Sequence, residues 1–256
     1  MDVIIFGGQS NMQGQTEGLP EVNEPVEGAW EYRLIEDELK PLAHPVGEDV
    51  CFEKWLAAAS QGGGSLVPAF CRAYVKATGR KVTAIHAARG STTLAEWQRG
   101  TQHFYHAKRK ILAGLRKVEE TDTIDRIYYV WLQGESDAII YTTEDEYYEG
   151  LIRYKNTLKA EFGVEKFGII RVGYFACNAP WLESEGTVEE RALRDEAIMR
   201  AQDRAVETDG DFAILTRLAA TMSKDPTYIN PHACGHYNNK GMEILGTAAG
   251  EALAKL

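Results

Sequence analysis

The feature that most constrains this chain is an alternation. Short apolar runs, several of them stopped by a polar, glycine-bearing turn, are separated by amphipathic stretches of helical period. Residues 3–6 (Val-Ile-Ile-Phe) read as a short buried strand that stops at Gly7-Gly8. Residues 81–88, 124–132, 167–176 and 212–215 read as four further strands. Helices are expected from Pro68 to about residue 78, with proline in the first turn where a missing N–H costs little, and over 107–119, 143–162, 187–208 and 239–255. This order predicts an α/β domain spanning 1–256, with a five-stranded parallel sheet covered by helices on both faces. Parallel strands all point one way. The turns Gly8-Gln9-Ser10-Asn11, Arg89-Gly90-Ser91 and Gln133-Gly134-Glu135 are therefore expected together at one sheet edge, the edge at which open α/β sheets bind ligands.

Residues 15–50 lack periodicity and hold several prolines and glycines, so they read as a long excursion over the surface. Trp30, Tyr32 and Trp55 either line a pocket there or pin the excursion to the core, and Gly62-Gly63-Gly64-Ser65 reads as a flexible turn. A formal net charge of -10 repels phosphate backbones and gives no attraction to anionic lipid, so neither nucleic acid nor a membrane is expected as a partner. No apolar run approaches the ~20 residues of a spanning helix, and residues 1–6 are too short for a signal peptide. The chain thus reads as cytoplasmic, or as a mature domain that has lost a leader. Cys51, Cys71, Cys177 and Cys234 form no Cys-x-x-Cys pair and read as free thiols.

A serine lifted on a strand-ending turn is a recurring way to build a nucleophile. It needs a base to take its proton and donors to hold the oxyanion. Ser10 is so placed, and a base is on offer just before the last helix, in His232-Ala233-Cys234-Gly235-His236-Tyr237-Asn238. Of the other histidines, His86 falls mid-strand and reads as a core residue, His103 and His106 suit the surface, and His44 lies in the excursion.

Taken together, Gly-Gln-Ser-Asn-Met (8–12), a Gly-Ser-Thr turn (90–92) leading to Glu96-Trp97, Gln-Gly-Glu-Ser-Asp (133–137) and Gly-His-Tyr-Asn (235–238) resemble the SGNH-hydrolase superfamily, and more narrowly its sialate O-acetylesterase and acetylxylan esterase branch. The resemblance runs along the whole chain in order. It implies a flavodoxin-like three-layer α/β/α sandwich and removal of acetyl groups from sugars. It also implies Ser10 as nucleophile and His236 as general base, with an oxyanion hole made by the Ser10 and Gly90 N–H groups and the Gln133 amide. Gln9, Arg89 and Trp97 would meet the substrate, Trp97 by stacking on a pyranose and Arg89 by binding hydroxyls, although Trp97 as a packed wall and Arg89 as an ion-pair partner are equally open.

The chain departs from the superfamily at the acid, since Ala233 stands three residues before His236 where an Asp is common. Glu135, Asp225 and Asp137 are the replacements, with Glu135 matching a branch that takes its acid from the Gln-Gly-Glu turn; a pair without a carboxylate also remains. No metal or other cofactor is expected, because ester cleavage by serine needs none. Two other readings stay open: an esterase for another small acyl ester, and a non-catalytic glycan-binding domain.

Overall fold

A computed structural model describes residues 1–47 and 63–256. Cys51, Trp55 and Gly62, named above, lie outside the described residues. The strands are β1 (Asp2–Gly8), β2 (Ala29–Arg33), β3 (Glu38–Pro41), β4 (Val82–Ala88), β5 (Arg126–Leu132), β6 (Lys166–Ile170) and β7 (Phe212–Thr216). They form one sheet in the order β3-β2-β4-β1-β5-β6-β7, parallel except for the antiparallel edge pair β2–β3.

The sheet thus has seven strands where the sequence reading gave five. The two additions lie in the stretch taken for a surface excursion. Ala29 and Tyr32 bury apolar groups, but their partner Glu31 is a carboxylate, which hides the strand pattern. That buried charge is compensated by Arg33 Nε at 2.9 Å and by the Gly47 N–H at 2.7 Å. Tyr32 is fully buried, which favours pinning over pocket lining for that residue. The fourth strand is also shorter than expected. It ends at Ile170, and the chain leaves the sheet towards a 3-10 turn at Ala176–Asn178.

Side-chain alternation sorts the helices onto the two faces. Phe6 meets Phe70 edge-on, on the face covered by α2 (Val67–Thr78). Its neighbour Ile5 is in register with Ile85 and Tyr129, which point the other way. There Ile85 meets Gly114 of α3 (Gln102–Glu119), and Tyr129 meets Tyr154 of the helix Glu144–Phe162. The last helix, Asn239–Leu253, lies on α2, where Gly246 and Gly250 bring the two backbones close. No helix among the described residues is long and apolar enough to cross a membrane.

Candidate active site

β1 delivers Ser10. Gly8 has φ +142°, and a Cβ there would lie 2.0 Å from the Leu132 carbonyl oxygen, so only glycine lets β1 leave the sheet this tightly against β5. Ser10 then opens the one-turn helix α1 (Ser10–Gln13) and is 5% exposed. The turn after β4 lies against it: a Cβ built on Gly90 would sit 3.4 Å from that of Ser10. The Gly90 N–H donates to Gln13 Oε1 at 3.0 Å.

The turn after β5 is joined to both. Gln133 Nε2 donates to the Thr92 carbonyl (2.8 Å), to Asp137 Oδ2 (2.6 Å) and towards Gln9 Oε1 (3.2 Å). Gln9 Oε1 also accepts from Ser136 N at 3.1 Å. Asp137 ties down the Leu94 N–H (2.9 Å) and the Thr142 hydroxyl (3.1 Å), and burial pushes its carboxyl above the ordinary range. Three turns distant in sequence are thus laced into one polar, buried rim.

This lacing redirects several expectations. Gln9 and Gln133 are 2% and 0% exposed, and their side chains connect the turns to each other. The geometry therefore gives Gln9 a scaffold role in place of the expected substrate contact, and the Gln133 amide is spent on protein acceptors. Trp97 is buried too, its Nε1 donating to Thr92 Oγ1 at 2.9 Å and its ring edge-on to Trp131, so it is a packed wall with no face for a sugar. Arg89 is half-buried, with its guanidinium 3.4 Å from His103 Nδ1.

The loop before the last helix comes to the same rim. Asn11, next to Ser10, grips the backbone on both sides of His236: its Nδ2 donates to the Gly235 carbonyl and its Oδ1 accepts from the Tyr237 N–H, each at 3.3 Å. The His236 Nδ1 is 2.9 Å from the Cys234 carbonyl oxygen, which makes it the donor and leaves Nε2 as the basic nitrogen. Nε2 is buried with no hydrogen-bond partner among the described residues, and burial lowers the imidazole's pKa. Phe175 stands edge-on to the ring at 5.7 Å. Its turn is held by Asp195, which accepts from Ala176 N (2.9 Å) and Cys177 N (3.1 Å).

The three acid candidates all find partners other than the imidazole. Glu135 Oε1 accepts from Asn11 Nδ2 at 2.8 Å, while Oε2 is buried without a partner among the described residues. Burial raises its carboxyl to about 7, with smaller contributions from the charges of Asp195 and Asp137. Asp225 caps the short turn at Pro226–Tyr228 by accepting from Thr227 N, and Asp137 belongs to the rim network. His232 is exposed. Asn11, Gln13, Phe175 and Asp195 were not singled out from the sequence. Only Asn11 had a signal there, as part of the Gln-Ser-Asn-Met string.

The chain is thus a seven-stranded α/β sandwich with Ser10 and the His236 loop at the carboxyl edge of its sheet. The model of the carbohydrate esterase, sialic acid-specific acetylesterase family matches residues 1–217, and the chain belongs to that family. The matched stretch holds Ser10, Gly90, Gln133 and Glu135 and ends before the His236 loop. No curated protein matches the chain. Solved structures with the same fold include a protein from Arabidopsis thaliana (15% identity, 99% of this chain and 96% of that one, TM-score 0.67), NanS (13%, 98% and 96%, 0.63) and a lipase/acylhydrolase from Enterococcus faecalis (16%, 99% and 95%, 0.55).

Proposed function

We propose that the chain is a serine esterase that removes O-acetyl groups from carbohydrates. The observation that carries this reading is the Asn11 grip, by which the residue after the serine holds both flanks of His236. Ser10 Oγ adds to the acetyl carbonyl carbon as its proton passes to His236 Nε2. The ester C–O bond then breaks, and the sugar oxygen takes that proton. Water adds to the acetyl-enzyme by the same path, and acetate leaves as Oγ regains a proton. The oxyanion is received by the Ser10 N–H and by the Gly90 N–H once Gln13 yields it. One such donor is worth roughly 3–4 kcal/mol of barrier.

The Cys234 carbonyl on Nδ1 selects the tautomer, as a triad carboxylate does, but stabilises the imidazolium less. A slower enzyme than a full triad is the consequence. For the sugar itself, Trp181 offers an exposed ring (57%) that meets Phe175 edge-on at 6.3 Å, beside the wall of His236. The substrate class is an acetylated saccharide of sialic acid or xylan type, and an acetate-release screen over both decides between them. The activity itself is tested by p-nitrophenyl acetate turnover: Ser10→Ala abolishes it if this reading holds, and unchanged turnover removes Ser10 from the mechanism. A glycan-binding protein without catalysis is favoured only by Nδ1 facing a carbonyl where a triad would place a carboxylate. It predicts saccharide binding with no acetate release from wild type.

A further inference from the structure

We propose that Asn11 and Glu135 form a hydrogen-bonded strut that positions His236, with Glu135 acting as an acceptor on the Asn11 amide and not as a carboxylate paired to the imidazole. The inference rests on the Ser10–His236 reading above and deepens it.

An asparagine amide offers two N–H donors and a carbonyl acceptor. At Asn11, which is 1% exposed, these are used on three buried groups: Gly235 O, Tyr237 N and Glu135 Oε1. The first two belong to the residues on either side of His236, so the amide fixes the backbone from which the imidazole projects. Both contacts are long, at 3.3 Å, but a carbonyl oxygen only accepts and a backbone N–H only donates, so they fix which end of the amide faces which group. The Glu135 bond is the short one, at 2.8 Å. With the amide so turned, Nδ2 is its donor. If the amide turned over, Oδ1 would face the Gly235 carbonyl and Nδ2 would face the Tyr237 N–H. Both backbone contacts would then set like against like in a buried site, where an unmade hydrogen bond is costly. The loop backbone therefore sets the sense of the amide, and the short Glu135 bond anchors the amide that holds the loop.

The remaining geometry separates this role from that of a triad acid. The imidazole Nδ1 already has the Cys234 carbonyl, and Phe175 closes one side of the ring. Glu135 Oε2 has no donor to hold a negative charge, and its carboxyl is held near neutrality at about 7 by burial. An un-ionised carboxyl still accepts through its carbonyl oxygen, so the strut stands without a charge. Glu135 and Asn11 are positioning residues in this scheme. Ser10 and His236 touch the reacting atoms.

The test is steady-state kinetics on p-nitrophenyl acetate for Asn11→Ala, Glu135→Leu and Glu135→Gln, with kcat and KM separated and folding followed by circular dichroism. Loss of the strut misplaces the base without touching the substrate pocket. Asn11→Ala and Glu135→Leu should each lower kcat about 100-fold with KM within about threefold. Glu135→Gln keeps an acceptor of the same shape and loses the charge, and it should rescue kcat to within about fivefold of wild type. Two results overturn the proposal: Glu135→Gln as inactive as Glu135→Leu, or Asn11→Ala with wild-type kcat. Because Glu135→Gln is nearly isosteric, it decides the matter even where Glu135→Leu fails to fold. Ser10→Ala and His236→Ala run alongside. If either retains turnover, the esterase reading itself fails; if both are inactive while Asn11→Ala is active, only the strut does.

Discussion

A carboxyl group buried with one hydrogen-bond donor makes stability depend on pH in a direction opposite to that of ordinary acids. Glu135 goes from an ordinary value of 4.5 to about 7, because burial disfavours its charged form and the carboxylates of Asp195 and Asp137 add to the effect. Tyr237, also close by, keeps its proton throughout, since burial raises its pKa. Below pH 4.5 the group is protonated in both folded and unfolded chains and costs nothing. Between pH 4.5 and 7 the unfolded chain releases the proton while the folded chain keeps it. Unfolding is then favoured more with each step in pH, and above about 7 the loss is complete. Its full size is about 3 kcal/mol, or roughly 6–12 °C in melting temperature for a chain of this length. Glu135→Gln removes the ionisation and leaves the shape. Urea unfolding of both proteins from pH 4.5 to 8.5 should show the variant gaining about 3 kcal/mol on wild type across the window, whatever constant offset the substitution adds. Parallel curves would refute the reasoning, because they would mean that Glu135 ionises in the folded chain as easily as in water.

The remaining predictions concern the histidine loop and its surroundings. Burial lowers the His236 pKa, so the neutral base persists into acid and the acidic limb of kcat/KM on p-nitrophenyl acetate should fall below pH 6.5; an inflection above that value contradicts the assignment. Gly235 has φ +72°, and a Cβ on it would lie 2.3 Å from the Phe175 ring. Gly235→Ala should therefore displace the imidazole and lower kcat about 10–100-fold in a protein that still melts cooperatively. Trp181→Ala should lower kcat/KM for acetylated xylooligosaccharide several-fold more than for p-nitrophenyl acetate, since only the former has a sugar ring to stack; equal effects on both substrates would remove Trp181 from the binding surface.

The scaffold was legible in the sequence where local pattern and topology agree. Val3-Ile4-Ile5-Phe6 before two glycines could only be a buried strand with a tight exit, and parallel order then forces the turns at Ser10, Gly90 and Gln133 to one edge. β2 and β3 were hidden because a buried Glu31 breaks the apolar alternation, and its compensation by Arg33 and the Gly47 N–H is a tertiary fact. At the rim, sequence placed residues but not the direction of their side chains. Gln9, Gln133 and Asp137 do sit at the expected edge, yet they bond to one another and to backbone instead of facing outward. Trp97 takes the packed-wall role, one of the two left open for it, because Trp131 of β5 meets its ring edge-on, a contact no local pattern shows. Phe175 and Asp195 carry no local signal at all. Their roles arise because residues 171–178 leave the sheet and fold back beside His236.

The most direct test of the central claim is to trap the nucleophile. After treatment with a fluorophosphonate probe, peptide mass spectrometry should find one adduct, on Ser10, appearing in step with loss of p-nitrophenyl acetate turnover and formed far more slowly in His236→Ala. Complete inactivation with Ser10 unlabelled, or full labelling of Ser10 with turnover intact, would contradict the account.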